Sequence, residues 1–272
     1  MMFAPMDVSI IFPVYNPDKK LLKKIISVIN HQNYKGNKEI LIIDEHKGFA
    51  EQMNIGIRKS KYSLVVMLPQ DCIPVGKEWL THLLMPFADK KVVASVSQVE
   101  LPSALWDTFS YGTKGIMVKE KGIIRSSLDG KGGAYRKSAM QKIGLFDERT
   151  FRTAGEDYDT YVKLKKRGKI VYPNVKIIHY HPTTFKQRLK KQYQYANGYG
   201  ALVRVHGKEM VRWYVGMLKA IPLVGLITYP LSYPFNKGGL GLLPAYLFAS
   251  LCDHPYYIAG FWKGFMDGKQ TV

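Results

Sequence analysis

Four short apolar runs alternate with helical stretches over the first hundred residues, and this alternation constrains the fold more than anything else in the chain. The runs are Val8–Phe12, Ile40–Ile43, Leu64–Leu68 and Val92–Val99. They read as near-continuous apolar blocks, the pattern of parallel strands covered on both faces. Between the first two, Leu21, Leu22, Ile25, Ile26 and Ile29 form an i, i+4 stripe behind Asp18, a helix-capping residue. Further helices are expected over Phe49–Lys59 and around Glu78–Phe87. Strand and helix alternating in this way predict a mostly parallel, Rossmann-like α/β sheet flanked by helices, with right-handed crossovers.

The first strand is not followed by Gly-x-Gly-x-x-Gly, and the chain has no Walker loop, which argues against a dinucleotide dehydrogenase or a P-loop NTPase. Acids stand instead where the second and third strands end. Ligands of open α/β sheets sit beyond the carboxyl ends of the strands, so these acids are candidate ligand positions. Asp44, with Glu45 beside it, is placed to hydrogen-bond a nucleobase or ribose, and equally to serve as a turn residue. Asp71 follows Pro69-Gln70 in a loop closed by Pro74. It is placed to hold a divalent cation on a diphosphate, the plain reading being a turn acid.

Leu101–Lys131 has weak periodicity and scattered glycines, and reads as a long, partly mobile connection of the kind that covers a site. Gly132-Gly133 suits either a turn or close backbone approach to a ligand. A short helix is expected from Ser138 to Ile143, and another after Gly155-Glu156-Asp157, running to about Arg167. Two acids at a helix start cap it and complement its dipole. A carboxylate at the lip of a cleft also serves as a general base. Strands follow at Ile170–Tyr172 and Val175–His179. Alternation through Lys176-Ile-Ile-His-Tyr-His181 puts His179 and His181 on one strand face, as ligands of a metal or diphosphate or as structural histidines.

The formal charge of +19 favours an anionic partner. Two cysteines, Cys72 and Cys252, make no disulfide framework, so a reducing compartment is expected. No basic segment followed by an apolar one precedes the first strand, so no secretory signal is expected. Thr184–Tyr199 interleaves Lys186, Arg188, Lys190 and Lys191 with Tyr193, Tyr195 and Tyr199, which suits a bilayer interface, a nucleic acid or a solvated helix face. Trp213–Phe235 and Leu240–Trp262 are apolar and long enough for a span of about 20 residues. Prolines and charges break both, including Lys219, Pro222, Pro230, Asp253 and Pro255. Interfacial or re-entrant helices are therefore expected in place of a two-span hairpin, the soluble reading being burial against the catalytic domain.

Taken together, six phrases in order resemble the inverting family 2 glycosyltransferases of the GT-A fold. They are Val8-Ser-Ile-Ile-Phe-Pro-Val-Tyr-Asn16, Ile42-Ile-Asp-Glu45, Asn54-Ile-Gly56, Leu68-Pro-Gln-Asp-Cys-Ile-Pro74, Gly144-Leu-Phe-Asp-Glu148 and Gly155-Glu-Asp-Tyr-Asp159, closed by His179. The resemblance spans about residues 7–200. It implies that Pro13, Tyr15 and Asn16 line a nucleotide pocket and that Asp44 and Glu45 contact base or ribose. Asp71 matches the last acid of the family's Asp-x-Asp motif and would ligate Mg²⁺ or Mn²⁺. Asp157 matches the catalytic base, with Glu156 the alternative. His179 matches a histidine near the metal or diphosphate, with His181 the alternative. Pro69 and Gln70 depart from the motif, so metal binding rests on Asp71 and a histidine. The Gln-x-x-Arg-Trp motif of processive members has its nearest match in Glu209-Met-Val-Arg-Trp213, read as a coincidence in a membrane-proximal helix, so transfer of a single sugar is expected.

The expectation is a catalytic domain over residues 1–200, with a nucleotide-sugar half at 1–100 and an acceptor half at 101–200. Residues 201–272 would form an apolar helical region on the cytoplasmic face of the membrane. The activity would be transfer of one sugar from a nucleotide-sugar to an acceptor hydroxyl or phosphate, with a lipid-linked glycan or polyisoprenyl carrier suggested by the tail. The rival readings are a nucleotidyltransferase on a similar scaffold, and a non-catalytic basic module binding membrane or nucleic acid. Nucleic acid is not expected as a partner under the transferase reading.

Overall fold

A computed structural model describes residues 5–45, 47–124, 128 and 130–271. In chain order the elements are β1 (Val8–Pro13), α1 (Lys19–Asn30), β2 (Lys38–Ile43), α2 (Phe49–Lys59), β3 (Leu64–Met67), β4 (Cys72–Pro74), α3 (Trp79–Leu84), β5 (Val92–Val96) and β6 (Gln98–Leu101). Then come α4 (Ser103–Asp107), α5 (Tyr111–Met117), β7 (Gly122–Ile124), β8 (Gly133–Arg136), α6 (Lys137–Lys142), α7 (Glu156–Lys165), β9 (Lys169–Val171) and β10 (Lys176–His179). Five helices close the chain: α8 (Phe185–His206), α9 (Trp213–Lys219), α10 (Val224–Leu231), α11 (Phe235–Gly238) and α12 (Leu243–Asp267). They divide between two compact units, each built from three separate stretches of chain.

The first unit comprises Met1–Glu100, Ile124–Glu148 and Glu156–Tyr180. Its main sheet has the order β2-β1-β3-β8-β5-β9. β1 pairs in parallel with β2 and β3, and β5 with β9, but β8 runs antiparallel to both β3 and β5. The sheet is therefore mixed where a mostly parallel one was expected. The reason is local. Four residues, Gly-Ala-Tyr-Arg, carry too little apolar signal to read as a strand, and Gly132 leads into them in a left-handed conformation (φ 70°). The expected strand Val92–Val99 is also two strands, broken between Val96 and Gln98 and paired into different sheets. In this unit the smaller sheet runs β4-β10-β6, with β10 antiparallel to β4 and parallel to β6.

Strand alternation divides the core between the two faces of the main sheet. Val8, Ile10 and Phe12 of β1, with Leu64 and Val66 of β3, pack on one side against Ile25, Ile29 and Trp79. Ile11, Val65, Met67 and Tyr135 face the other side, against Met53, Ile57 and Leu164. Asp18 caps α1 as expected, its Oδ1 accepting from the N–H groups of Lys20 (2.8 Å) and Leu21 (3.1 Å).

The second unit comprises Leu101–Ile123, Arg149–Gly155 and His181–Val272. The expected mobile connection 101–131 carries α4, α5 and β7 in its described part; residues 125–127 and 129 of it lie outside the described residues. Helices of five and seven residues are too short to display a helical period, so the sequence could not reveal them. α8 begins with a reciprocal capping box between Thr184 and Gln187. It packs along α12, where glycines let the backbones meet: a Cβ at position 264 would stand 1.8 Å from the carbonyl oxygen of Asn197. Among the described residues no helix is long and apolar enough to cross a membrane. The Glu209–Trp213 segment is not the helix expected: it leaves a 3₁₀ turn at Glu209, and Arg212 adopts a left-handed φ of 58° before α9 starts.

Candidate active site

β1, β2 and β3 run parallel, so their carboxyl ends open on one edge of the sheet. That edge carries Pro13 at the end of β1 with Tyr15 and Asn16 after it, Asp44 and Glu45 after β2, and Pro69, Gln70 and Asp71 after β3. Three of the sequence-derived groups thus share the crevice where open α/β sheets bind ligands. Tyr15 is 59% exposed, and Asn16 takes a left-handed φ of 43°. Asp44 is exposed, and Glu45 pairs with Lys59 at 3.3 Å.

Gln70 ties two of these loops together. Its Oε1 accepts from Tyr15 N–H at 2.8 Å, and its Nε2 donates to the Tyr15 carbonyl at 3.0 Å. The sequence reading registered Gln70 only as the loss of an acid. A carboxamide, unlike a carboxylate, both donates and accepts, and that was the available signal.

Asp71 is positioned by backbone on both sides. Cys72 N–H closes a turn to Pro69 O at 3.1 Å, and Asp71 O accepts from Tyr180 N–H at 2.8 Å. The register of β4 against β10 places His179 opposite Cys72. His179 Nε2 then lies 3.1 Å from Asp71 Oδ2, both side chains being only partly exposed. The assigned strand ends at His179, two residues before His181, and Pro182 follows directly. His181 lies just beyond the first unit, two residues along the chain from His179, and its Nε2 is 3.0 Å from Lys191 Nζ. Within the first unit Asp71 and His179 each offer one ligand atom, and these lie within 4.8 Å of each other. Two ligands of one cation, each about 2.1 Å from it, stand about 3 Å apart at a right angle, which the Asp71–His179 separation matches. The carboxylate oxygen suits a hard ion such as Mg²⁺ or Mn²⁺ and imidazole nitrogen a softer one such as Zn²⁺ or Fe²⁺, so this mixed donor set admits Mn²⁺ without selecting it.

The second acid cluster opens α7, where Gly155 turns the chain with φ 99°. Three acids fall in the first turn and complement its dipole. Glu156 and Asp159 are buried, and Asp159 is paired with Lys163 at 2.7 Å. Asp157 is the most open of the three; its Oδ1 accepts from Tyr158 N–H at 2.7 Å.

Other residues of the matching phrases have packing roles. Buried Asn54 donates to Phe146 O at 2.9 Å and to Glu148 Oε2 at 2.5 Å, and accepts from Phe146 N–H at 3.0 Å. The loop Gly144–Glu148 is thereby fastened to α2. A Cβ on Gly56 would stand 2.3 Å from Ile11 Cγ2, so glycine there lets α2 lie close on β1.

Comparison with known proteins gives a family and similar folds. Residues 112–262, more than half the chain, match the family described as "Glycosyl transferase family group 2". The fold is similar to that of a mannosyltransferase, PcManGT from Pyrobaculum calidifontis, solved in complex with GDP-Man and Mn²⁺, with a TM-score of 0.62 at 15% identity. That match covers 97% of this chain and 88% of the other. It is also similar to GalNAc-T7 solved with UDP, GalNAc and Mn²⁺, with a TM-score of 0.55 at 12% identity, over 80% of this chain and 52% of that one. No curated protein matches the sequence significantly.

Proposed function

Starting from a chain that belongs to glycosyl transferase family group 2, we propose an inverting, metal-dependent enzyme that moves one sugar from a nucleotide-sugar onto an acceptor hydroxyl or phosphate. The observation that carries the reading is the Asp71–His179 pair, 3.1 Å apart, supplied by the loop after a parallel strand and the end of β10. Tyr15 offers its exposed ring to the base, and Asp44 offers a carboxylate to base or ribose. Asp71 and His179, with His181 as the alternative histidine, would hold a divalent cation, which would supply positive charge opposite the departing diphosphate. Asp157 takes the proton of the acceptor hydroxyl as its oxygen bonds to the anomeric carbon. The bond from that carbon to the diphosphate oxygen breaks on the opposite face, which inverts the centre. Asp157 is favoured over Glu156 because it is the more open carboxylate.

The acceptor reading is a lipid-linked glycan at an anionic membrane surface, the cytoplasmic leaflet. Its support is the charge of +19 together with the apolar side chains exposed on α9 and α10. The roles of Gln70, Asn54 and Gly56 in holding the site's framework count against a degenerate binding module.

Thermal shift with UDP-, GDP- and dTDP-sugars, with and without Mn²⁺, tests the donor reading. One nucleotide is expected to stabilise the wild type only with metal, and Asp71→Ala to abolish that shift. Asp157→Asn is expected to retain the shift while transfer falls at least 10³-fold. A metal-independent shift that survives Asp71→Ala would remove the cation from the mechanism, and loss of donor binding in Asp157→Asn would remove the base assignment.

A further inference from the structure

The second unit holds a cavity of about 210 Å³ between α5, α8, α10 and α12. That is far more than the 10–15 Å³ or so a single water needs. Asp253 on α12 lines it, with Gln192 and Tyr195 of α8, Lys219 of α9 and Tyr229 of α10. Asp253 is 5% exposed. Its Oδ2 is engaged, accepting from Tyr229 Oη at 3.4 Å with Lys219 Nζ at 3.8 Å. Its Oδ1 has no hydrogen-bond partner among the described residues. A buried carboxylate oxygen without a donor is costly, so Oδ1 calls for a donor from whatever occupies the pocket.

The surrounding charges decide which donor fits. Lys119, Arg188 and Lys219 line the cavity against the two carboxylates of Glu120 and Asp253, and this positive excess disfavours an ammonium or a metal cation. An anion would meet the Asp253 carboxylate. The cations are moreover already in use. Arg188 is bonded to Glu120, and Lys119 donates to Ser232 Oγ at 3.2 Å. The Lys219 ammonium lies 4.0 Å from the ring centre of Tyr257 and 4.5 Å from that of Tyr229. Burial pushes Lys219 down to about 8 and raises the Asp253 carboxyl, so neither charge is well solvated. A neutral hydroxyl satisfies all of this, since it donates to Asp253 and accepts from Lys219. The tyrosine rings give the C–H face of a sugar a surface to lie on.

We propose that this cavity is a carbohydrate-binding site, in which ligand hydroxyls bridge Asp253 and Lys219 and a sugar ring packs on the tyrosines. It rests on the cavity's own residues and not on the donor-site reading above.

The test is saturation-transfer NMR on the full chain with methyl glycosides of glucose, galactose, mannose and N-acetylglucosamine, and with inorganic phosphate as the anionic competitor. At least one glycoside is expected to bind saturably at millimolar concentration. Binding weakens fivefold or more in Asp253→Asn, which keeps the side-chain shape, and in Gln192→Ala, a partly exposed position whose truncation spares the core. Asp71→Ala leaves it within twofold of wild type. The proposal is overturned if no glycoside binds the wild type, if both pocket variants bind as well as wild type, or if phosphate displaces the glycoside in a Gln192-sensitive manner. A wild type that binds a glycoside but no nucleotide-sugar would count against the donor site alone.

Discussion

A carboxamide at position 70 accepts from Tyr15 N–H through one atom and donates to the Tyr15 carbonyl through the other. Gln70→Met preserves the length and removes both bonds. At this exposed position the expected loss is about 1 kcal/mol in a urea titration. Nucleotide-sugar affinity should fall, because Tyr15 loses its anchor, while Mn²⁺ affinity measured by calorimetry stays unchanged, because Asp71 and His179 are untouched. An equal loss of metal affinity would contradict that division of roles. Asp71 and His179 were legible in the sequence because a lone acid after a strand and a histidine near a strand end are conspicuous against apolar neighbours. Gln70 was not, because its role depends on the backbone of a residue 55 positions away. Asn54 was legible only as part of a phrase; its bonds to Phe146 and Glu148 join stretches more than 90 positions apart.

At the scale of elements, the pairing of α8 with α12 turns on missing side chains. Gly264 faces the Asn197 carbonyl with no room for a methyl group, whereas a Cβ on Gly241 would meet nothing within 4 Å. Gly264→Val is therefore expected to lower unfolding free energy by about 1–3 kcal/mol through overpacking. Gly241→Ala should change it by about 0.5 kcal/mol or less, as at an open surface position. Both are read by denaturant unfolding, and equal effects would sink the close-approach argument. Elements whose own residues set their period were legible: β1, β3, α1 and α2 fall within two residues of their expected places. β8 was missed because its strand character comes from its neighbours, β3 and β5, on either side. The cavity beside Asp253 was invisible for a related reason. Its lining is gathered from residues 116 to 253, and no local pattern announces it.

At the scale of the whole molecule, the balance of charge and apolar exposure bears on the membrane surface proposed above. Leu223, Ile227 and Leu231 are 77%, 66% and 83% exposed and recur every fourth residue along α10 and its start. Side chains at that spacing share a helix face, and an exposed apolar face on a basic protein suits insertion at the headgroup level of an anionic bilayer. Replacing the three with Ser is expected to lower partitioning onto phosphatidylserine vesicles at least tenfold, measured by sedimentation. Nucleotide-sugar binding should be unchanged; undiminished partitioning would remove the α10 face as the contact.

The pairing of β4 with β10 also fixes when the Asp71–His179 pair can form. Asp71 leaves the ribosome early, but its histidine is encoded 108 positions later. A nascent chain that has reached α7 already carries β1, β2 and β3, and with them the loops assigned to the nucleotide, yet it has no second ligand for the metal. Synthesis therefore delivers the strand-end loops first and the Asp71–His179 pair last, so a truncated translation product would lack the pair altogether.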